Sequence, residues 1–385
     1  MKKLFKKILL LFLLPVLFHS CVNKDYDLGN IEGSGSLNPA LTLPIGTLKT
    51  EILDFIKGAG IDSSILEIGT DTIYAKYGGN MSLRPVVDIP FVVGSDVITN
   101  LPPGFGSIDF ALDSEEASMD IDIFTDLESS GCALYPANPT IYCKIRNYIG
   151  ADINIDINKI SSHRGNEEKS ANFGANASYN VEVGKAPAQN KYTDGTMIFN
   201  KTNGKINELF AIAPDRISYD FGMELEVPEG DFFMMKDKYV DIDYEVKIPF
   251  TFSAGTRLSN ENILDFDLSG DDFISNLDNL ILWIDYENRL GTTVKLEIQF
   301  LDENKNEIQD ITKIDQMDAA TESGKDAKPK TGTLEFKLDK DEVNDAKATH
   351  YIMLKSTLEV EDGDVNIHPT DYINLKLSAY LKVNI

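Results

Sequence analysis

The chain predicts an all-β protein with a minor α component: two tandem related antiparallel β-sandwich-like domains and a short N-terminal helix. Three observations carry that reading. The hydrophobic period is two rather than 3.6, as in Ile153-Asn154-Ile155-Asp156-Ile157, Val294-Lys295-Leu296-Glu297-Ile298 and Met119-Asp120-Ile121-Asp122-Ile123. Such alternation puts one strand face on a core and the other in water, as antiparallel sheets do. Helical periodicity is scarce. Finally, the chain repeats itself in order. Val87–Phe91 returns as Val246–Phe250, and Ile108–Leu112 as Leu264–Leu268. IYCKIRNYIGADINIDI from Ile141 returns as LWIDYENRLGTTVKLEI from Leu282, with Asn147 and Gly150 over Asn288 and Gly291. Ile212-Ala213-Pro214 and the strand to Val227 return as Ile367-His368-Pro369 and the strand to Val383.

These landmarks divide the chain into a leader at 1–20, a tether at 21–35, a helix and strand extension at 36–80, a first β-domain at 81–228 and a second at 229–385. In the extension, Thr50–Gly58 fits a short amphipathic helix stopped by Gly58, and the segment is expected to pack on the first domain. A second short helix is expected from Ser269 to Leu277, with Asp272 placed for a capping box. The Asn-x-Ile/Leu-Gly element between strands tolerates positive φ and reads as a turn. Residues 161–180 and 314–332 are polar, Gly/Ser/Lys-rich stretches at corresponding places and read as exposed loops. Glu359–Asp364 reads as a hairpin closed by an Asp-Gly turn. Phe232-Phe233-Met234-Met235 is an apolar run suited to an interdomain core or to a lipid or protein partner.

The leader reads as a targeting segment. Four lysines among the first seven residues precede ILLLFLLPVLF, then His19, Ser20 and Cys21. The apolar run is too short to span a bilayer, the layout of a secretory signal peptide. A cysteine at the cut site resembles the bacterial lipoprotein signal, although Phe18 and His19 depart from its usual Leu and small residue. The resemblance implies a lipid (palmitate-type) anchor on Cys21, whose several acyl chains, at about 0.8 kcal/mol per buried CH₂, would make attachment effectively permanent. The opening CVNKDYDLGNIE is similar to outer-membrane lipoproteins of the Bacteroidetes group. In that group acidic residues just past the cysteine resemble a surface-export signal; here Asp25 and Asp27 are interrupted by Tyr26, and a plain polar tether explains them equally. The resemblance implies an outer-membrane location and leaves the side open.

Composition narrows the partners. Net charge is −26 over 385 residues, so the surface repels nucleic acid and anionic headgroups. Hydrophobic residues make up 42% of the chain, enough for packed cores despite the acidity.

Catalytic patterns are thin. Cys132 and Cys143 are close in sequence in an oxidising compartment, which allows a disulfide. Cys143 also aligns with Ile284 between Ile141 and Ile145, which fits a buried thiol equally well. His163, His350 and His368 show no metal-ligand spacing and read as surface or structural. Asp265, Asp267 and Asp271 make a D-x-D-x-S-G opening of a calcium loop, but position twelve is Asn276 and Phe266 and Leu268 alternate like strand residues. A strand leading to a helix cap fits better. With 62 acidic residues, carboxylate pairs suited to a glycosidase are cheap to find. Trp283, the only tryptophan, sits on the strand face opposite Leu282 and Ile284.

The expectation is therefore a non-enzymatic, lipid-anchored envelope protein acting as a binding, adhesion or scaffold module. It takes no cofactor, and its partner is a glycan or an envelope protein. Lipid carriage and a secreted hydrolase are the alternatives.

Overall fold

The computed structural model describes residues 40–383, apart from 93, 100–105, 113–116, 174–178, 227–231, 269–276, 309–310, 322–323 and 325. The leader, Cys21, Asp271 and most of the expected Ser269–Leu277 helix lie outside the described residues.

In chain order the main elements are β1 (Ala40–Glu51), α1 (Ile52–Gly58), β2 (Ile73–Pro85), β3 (Ser107–Leu112), α2 (Ile123–Ser129), β4 (Thr140–Asn147), β5 (Ile153–Arg164), β6 (Tyr179–Val183), β7 (Thr193–Phe199), α3 (Ile206–Phe210), β8 (Arg216–Glu226) and β9 (Val240–Pro249). They continue as β10 (Arg257–Asp265), β11 (Leu277–Asn288), β12 (Val294–Leu301), β13 (Lys313–Met317), β14 (Lys330–Leu338), α4 (Lys340–Asp345), β15 (Tyr351–Glu359) and β16 (Tyr372–Val383). Ile153–Ile157 and Val294–Ile298 form strands as read, whereas Met119–Ile123 is a strand only to Asp120 and Ile123 opens α2; in β4, Ile141, Cys143 and Ile145 are buried while Tyr142, Lys144 and Arg146 point outward. The fold is all-β and antiparallel, with few helices.

Strand pairing makes two sandwiches of one topology. The first has layers ordered β2-β9-β4-β7 and β3-β8-β5-β6, hydrogen-bonded to each other through β2 and β3. The second has layers ordered β1-β16-β11-β14 and β10-β15-β12-β13. Each strand of one order has its counterpart in the other, so the duplication is present in the structure.

The domain boundaries and part of the repeat alignment need correction. β1 does not join the first domain; it pairs along its length with β16, Ala40 opposite Lys382 and Glu51 opposite Tyr372. β9, assigned by sequence to the second copy, lies between β2 and β4 in the first sandwich. The counterpart of β16 is thus β9, not β8. The first sandwich is inserted between the first and second strands of the second. The physical reason is that the initial strand of each unit pairs with its final strand, and such distant pairing leaves no local trace in sequence.

Helix α1 forms as read: Ile52, Phe55 and Ile56 fall on one buried face, and the Asp54 carboxylate accepts from the Glu51 N–H at 2.9 Å. It packs on β10 so closely that a Cβ on Gly58 would come within 2.7 Å of the Asn260 side chain. Three other readings change. Residues 161–170 form the end of β5 and a hairpin partner rather than a loop, with Ser161 and Ser170 hydroxyls bonded at 2.9 Å. Lys313–Met317 likewise is a strand. After Gly363 (φ +70°) the chain does not return along β15; residues 364–366 pair with 251–253 instead. The Phe232–Met235 run is largely buried against the first sandwich, where 234–235 pair with 97–98.

The turn element has a structural explanation. It carries the chain from one layer to the other, and its asparagine is fully buried in both copies. The Asn147 amide donates to Ala151 O and Gly184 O, both at 2.9 Å, and accepts from Ile149 N at 2.8 Å. Asn288 donates to Thr292 O at 3.0 Å and Asp318 O at 2.9 Å, and accepts from Leu290 N at 2.9 Å. One side chain thereby satisfies three backbone groups, two of them on buried residues, and ties the crossover to the neighbouring strand end.

Candidate functional site

The layer β1-β16-β11-β14 turns one face inward and leaves the other open. Alternation dictates which side chains stand on the open face: Trp283, Asp285 and Glu287 from β11, Asn374, Lys376, Ser378 and Tyr380 from β16, Thr331, Thr333 and Glu335 from β14. Trp283 and Tyr380 meet with ring centroids 5.2 Å apart at 33°. Beside them is a groove of about 410 Å³ whose outward side chains are Asp285, Glu287, Thr331, Thr333, Asn374 and Lys376. Asp285 accepts from the Thr333 hydroxyl at 2.7 Å, and Glu287 accepts from Asn374 at the long distance of 3.5 Å. Lys376 stands directly across from Asp285, yet makes no ion pair among the described residues. The groove therefore presents carboxylate acceptors, amide and ammonium donors and two hydroxyls beside an aromatic pair.

The same face of the first sandwich keeps a threonine, Thr196, at the place of Thr333 but differs at the aromatic and charged positions. Tyr142 stands for Trp283, Lys144 for Asp285, Arg146 for Glu287, Asp243 for Lys376 and Lys247 for Tyr380. There the charges are spent on one another: Arg146 with Asp243 at 2.6 Å, Lys144 with Asp194 at 3.4 Å, Lys76 and Lys247 with Glu245 at 3.4 and 3.1 Å.

Two further clefts lie in the first sandwich. One, of about 500 Å³, is lined by Phe124, Leu134, Tyr135 and Arg164, whose guanidinium is already taken by Glu128 and Thr125. The other, of about 380 Å³, gathers Asp120, Asp122, Asp126 and Asp215 around Arg216. No group of three acidic, histidine or cysteine side chains among the described residues is arranged to hold a metal ion.

The remaining sequence candidates fall apart from these sites. Cys132 and Cys143 are both free and buried, so the bridge their spacing allows is not made. Burial pushes the Cys143 thiol up to about 12, which keeps it unreactive. Asp265 and Asp267 point to solvent from a ladder that continues past β10, where Phe266 and Leu268 N–H groups bond His350 O and Thr349 O at 3.0 and 2.8 Å. That is strand geometry, not a calcium loop, and Asp267 lies 3.6 Å from His350 Nδ1. His163 bonds Ser218 at 2.8 Å across the sheet.

Between the sandwiches, residues 133–137 pair with 251–257, and Arg257 reaches Gly131 O at 2.7 Å. At that junction His368 Nε2 faces Asp71 of the first sandwich at 3.7 Å. The fully buried Asp371 accepts from the His368 N–H at 2.8 Å; desolvation raises its carboxyl to about 6, against the pull of that hydrogen bond and of the His368 and Arg289 charges.

Sequence reasoning placed Trp283 on its open face but missed the groove beside it. Its members come from three strands far apart in sequence.

No protein-family model matches the chain, and no curated protein matches it. Among solved structures it is similar to a protein of Parabacteroides distasonis ATCC 8503 described as secreted, with 13% identity over 89% of this chain and 99% of that one, at a TM-score of 0.58. That likeness shows a shared fold across both sandwiches. The VP2 subviral particle of infectious bursal disease virus (9% identity, 90% of this chain, 72% of that one, TM-score 0.23) and the tandem CBM22 domain of Paenibacillus barcinonensis Xyn10C (10% identity, 91% of this chain, 99% of that one, TM-score 0.16) are too distant to carry an argument.

Proposed function

We propose that the chain is a non-enzymatic binding module of the cell envelope, held by a lipid on Cys21 at the outer membrane, that takes its ligand on the open face of the second sandwich. The observation that carries this is the contrast between duplicated faces: the charges of one are taken up in ion pairs, while the other keeps an aromatic pair beside a groove whose Asp285, Glu287 and Lys376 form no ion pair among the described residues. Convergent polar groups beside aromatic surface in a concavity are the usual makings of a binding site. The leader and Cys21 support the anchoring, and the likeness to a secreted protein's fold is compatible with it. No helix among the described residues is long and apolar enough to cross a membrane. Lipid carriage would need space inside the sandwiches, and both interiors are filled by side chains such as Phe199, Phe221, Phe250 and Phe300, all 2% exposed or less.

Trp283 is the chain's only tryptophan, so its emission reports on this face alone. Titration with solubilised envelope polysaccharide and with envelope protein fractions should shift or quench that emission. Ligand that co-sediments with the chain while the emission stays unmoved would place binding elsewhere. Separately, Cys21→Ser should move the chain from the membrane to the soluble fraction; retention of that variant in the membrane would rule out the lipid anchor.

A further inference from the structure

We infer that the ligand of this face is an uncharged glycan chain, laid along β11 with a sugar ring on the Trp283–Tyr380 pair and its neighbours in the groove. The inference rests on the reading of this face as the binding site and goes on to name the ligand's chemistry.

Shape comes first. Residues two apart on a strand are about 6.6 Å apart and strands about 4.8 Å, so Trp283 to Glu287 spans about 13 Å and the three strands about 10 Å. The site is thus a shallow trough of about 13 by 10 Å on the open sheet face, wide enough to take two or three sugar rings of a chain lying along the strands.

The chemistry is mixed in one place. Asp285 and Glu287 only accept, Lys376 only donates, and Asn374, Thr331 and Thr333 do both. A hydroxyl both donates and accepts, so a polyol satisfies adjacent carboxylate and ammonium groups without any ligand charge. The apolar face of a pyranose ring matches the flat, partly exposed surface of Trp283 and Tyr380.

Charged polymers fit worse. A polyanion would set its charges against Asp285 and Glu287, with −26 overall behind them. A polycation would meet Lys376 in the groove, while the other charges of the face, Lys337 with Glu335 and Lys49 with Glu51, pair with each other at 2.7 Å. Neither finds one-signed complementarity.

The test is affinity electrophoresis of the full chain in gels containing hydroxyethylcellulose, soluble xylan or soluble starch as neutral polymers, polygalacturonate as polyanion and glycol chitosan as polycation. Retardation by at least one neutral polymer is expected, insensitive to salt, and weakened by about tenfold or more in Trp283→Ala and Tyr380→Ala. Lys376→Ala and Asp285→Asn should each weaken it several-fold, with unfolding temperatures unchanged in all four variants. Retardation by none of the neutral polymers overturns the inference. Retardation only by polygalacturonate or chitosan, lost in Trp283→Ala, overturns the neutral class while leaving the face as the site. Neutral-polymer retardation that survives both aromatic substitutions overturns the face itself.

Discussion

The two sandwiches share a topology strand for strand, yet they use it differently. In the first, the outer face of β2-β9-β4-β7 is self-complementary: Arg146, Lys144 and Lys76 each have an acidic partner on a neighbouring strand, and Lys247 has Glu245 on its own. In the second, the equivalent face keeps Asp285, Glu287 and Lys376 in an open groove beside two rings. The inner faces barely differ in kind, since both are continuous apolar cores fixed by the same buried asparagine. The lesson is that a duplicated fold holds its core and crossover constant while the outward half of each strand is free to become either a sealed surface or a site.

The comparison is broken most severely by removing β1. The nested topology assigns it to the second sandwich, so deletion of residues 1–51 should leave β2–β9 protected and expose β10–β16. Limited proteolysis and hydrogen exchange read this directly; loss of protection spread equally over both sandwiches would contradict the nesting.

Next come the two asparagines, whose equivalence is the sharpest claim of likeness. Asn147→Ala and Asn288→Ala each strand one carbonyl and one N–H in the interior, the second carbonyl lying on an exposed residue, and each should cost about 2–4 kcal/mol. Denaturant unfolding of the two variants should show similar losses. A cost below about 1 kcal/mol for either would mean that water replaces the side chain there and that the copies are not held alike.

How much of this was legible before the structure depended on distance along the chain. Local alternation fixed which residues of β4 and β11 face inward, so Ile141, Ile145, Leu282 and Ile284 were readable as core and Trp283 as outward-facing. Helix α1 was readable because Ile52, Phe55 and Ile56 mark one face within a single turn. The duplication was readable around Asn147 and Asn288, where one side chain has the same task twice. The partner of β1 was not, because β1 meets β16 at the far end of the chain. Ser161 and Ser170 misled because serines in a polar stretch imply a loop, whereas here they bond each other across a hairpin. The groove was invisible for the reason β1 was: Asp285, Thr333 and Lys376 become neighbours only through pairing of β11 with β14 and β16.

A smaller difference between the copies is electrostatic. Asp371 is buried, while the corresponding position in the first sandwich is Lys238, exposed and bonded to Asn190 at 2.9 Å. The Asp371 carboxyl titrates near 6 when folded against an ordinary 3.8. Between those values the folded state binds the extra proton, so this group's effect on stability becomes more favourable as pH falls through 6 and is complete below about 4. At neutral pH its charged form is a cost of up to about 3 kcal/mol. Asp371→Asn keeps an acceptor for the His368 N–H and removes the charge. It should raise stability at pH 8 relative to the parent, with the gap closing toward pH 4; a gap that stays constant with pH would show that Asp371 does not titrate in this window.

The smallest expected effect discriminates best between two accounts of the first face. If its ion pairs exist for stability, breaking them should be costly; if they merely neutralise a surface that the second copy leaves open, breaking them should be nearly silent. The Arg146 and Asp243 side chains are 27% and 42% exposed, so water already screens the pair and it is worth at most about 1 kcal/mol. Arg146→Ala should therefore lower the unfolding temperature only slightly and leave Trp283-reported binding untouched, because the two faces belong to different sandwiches. A large loss of stability would instead make the ion pairs a structural requirement of the first copy. The open groove of the second would then be the face that had to find its stability elsewhere, in the Trp283–Tyr380 contact, and Trp283→Ala would lower the unfolding temperature along with binding.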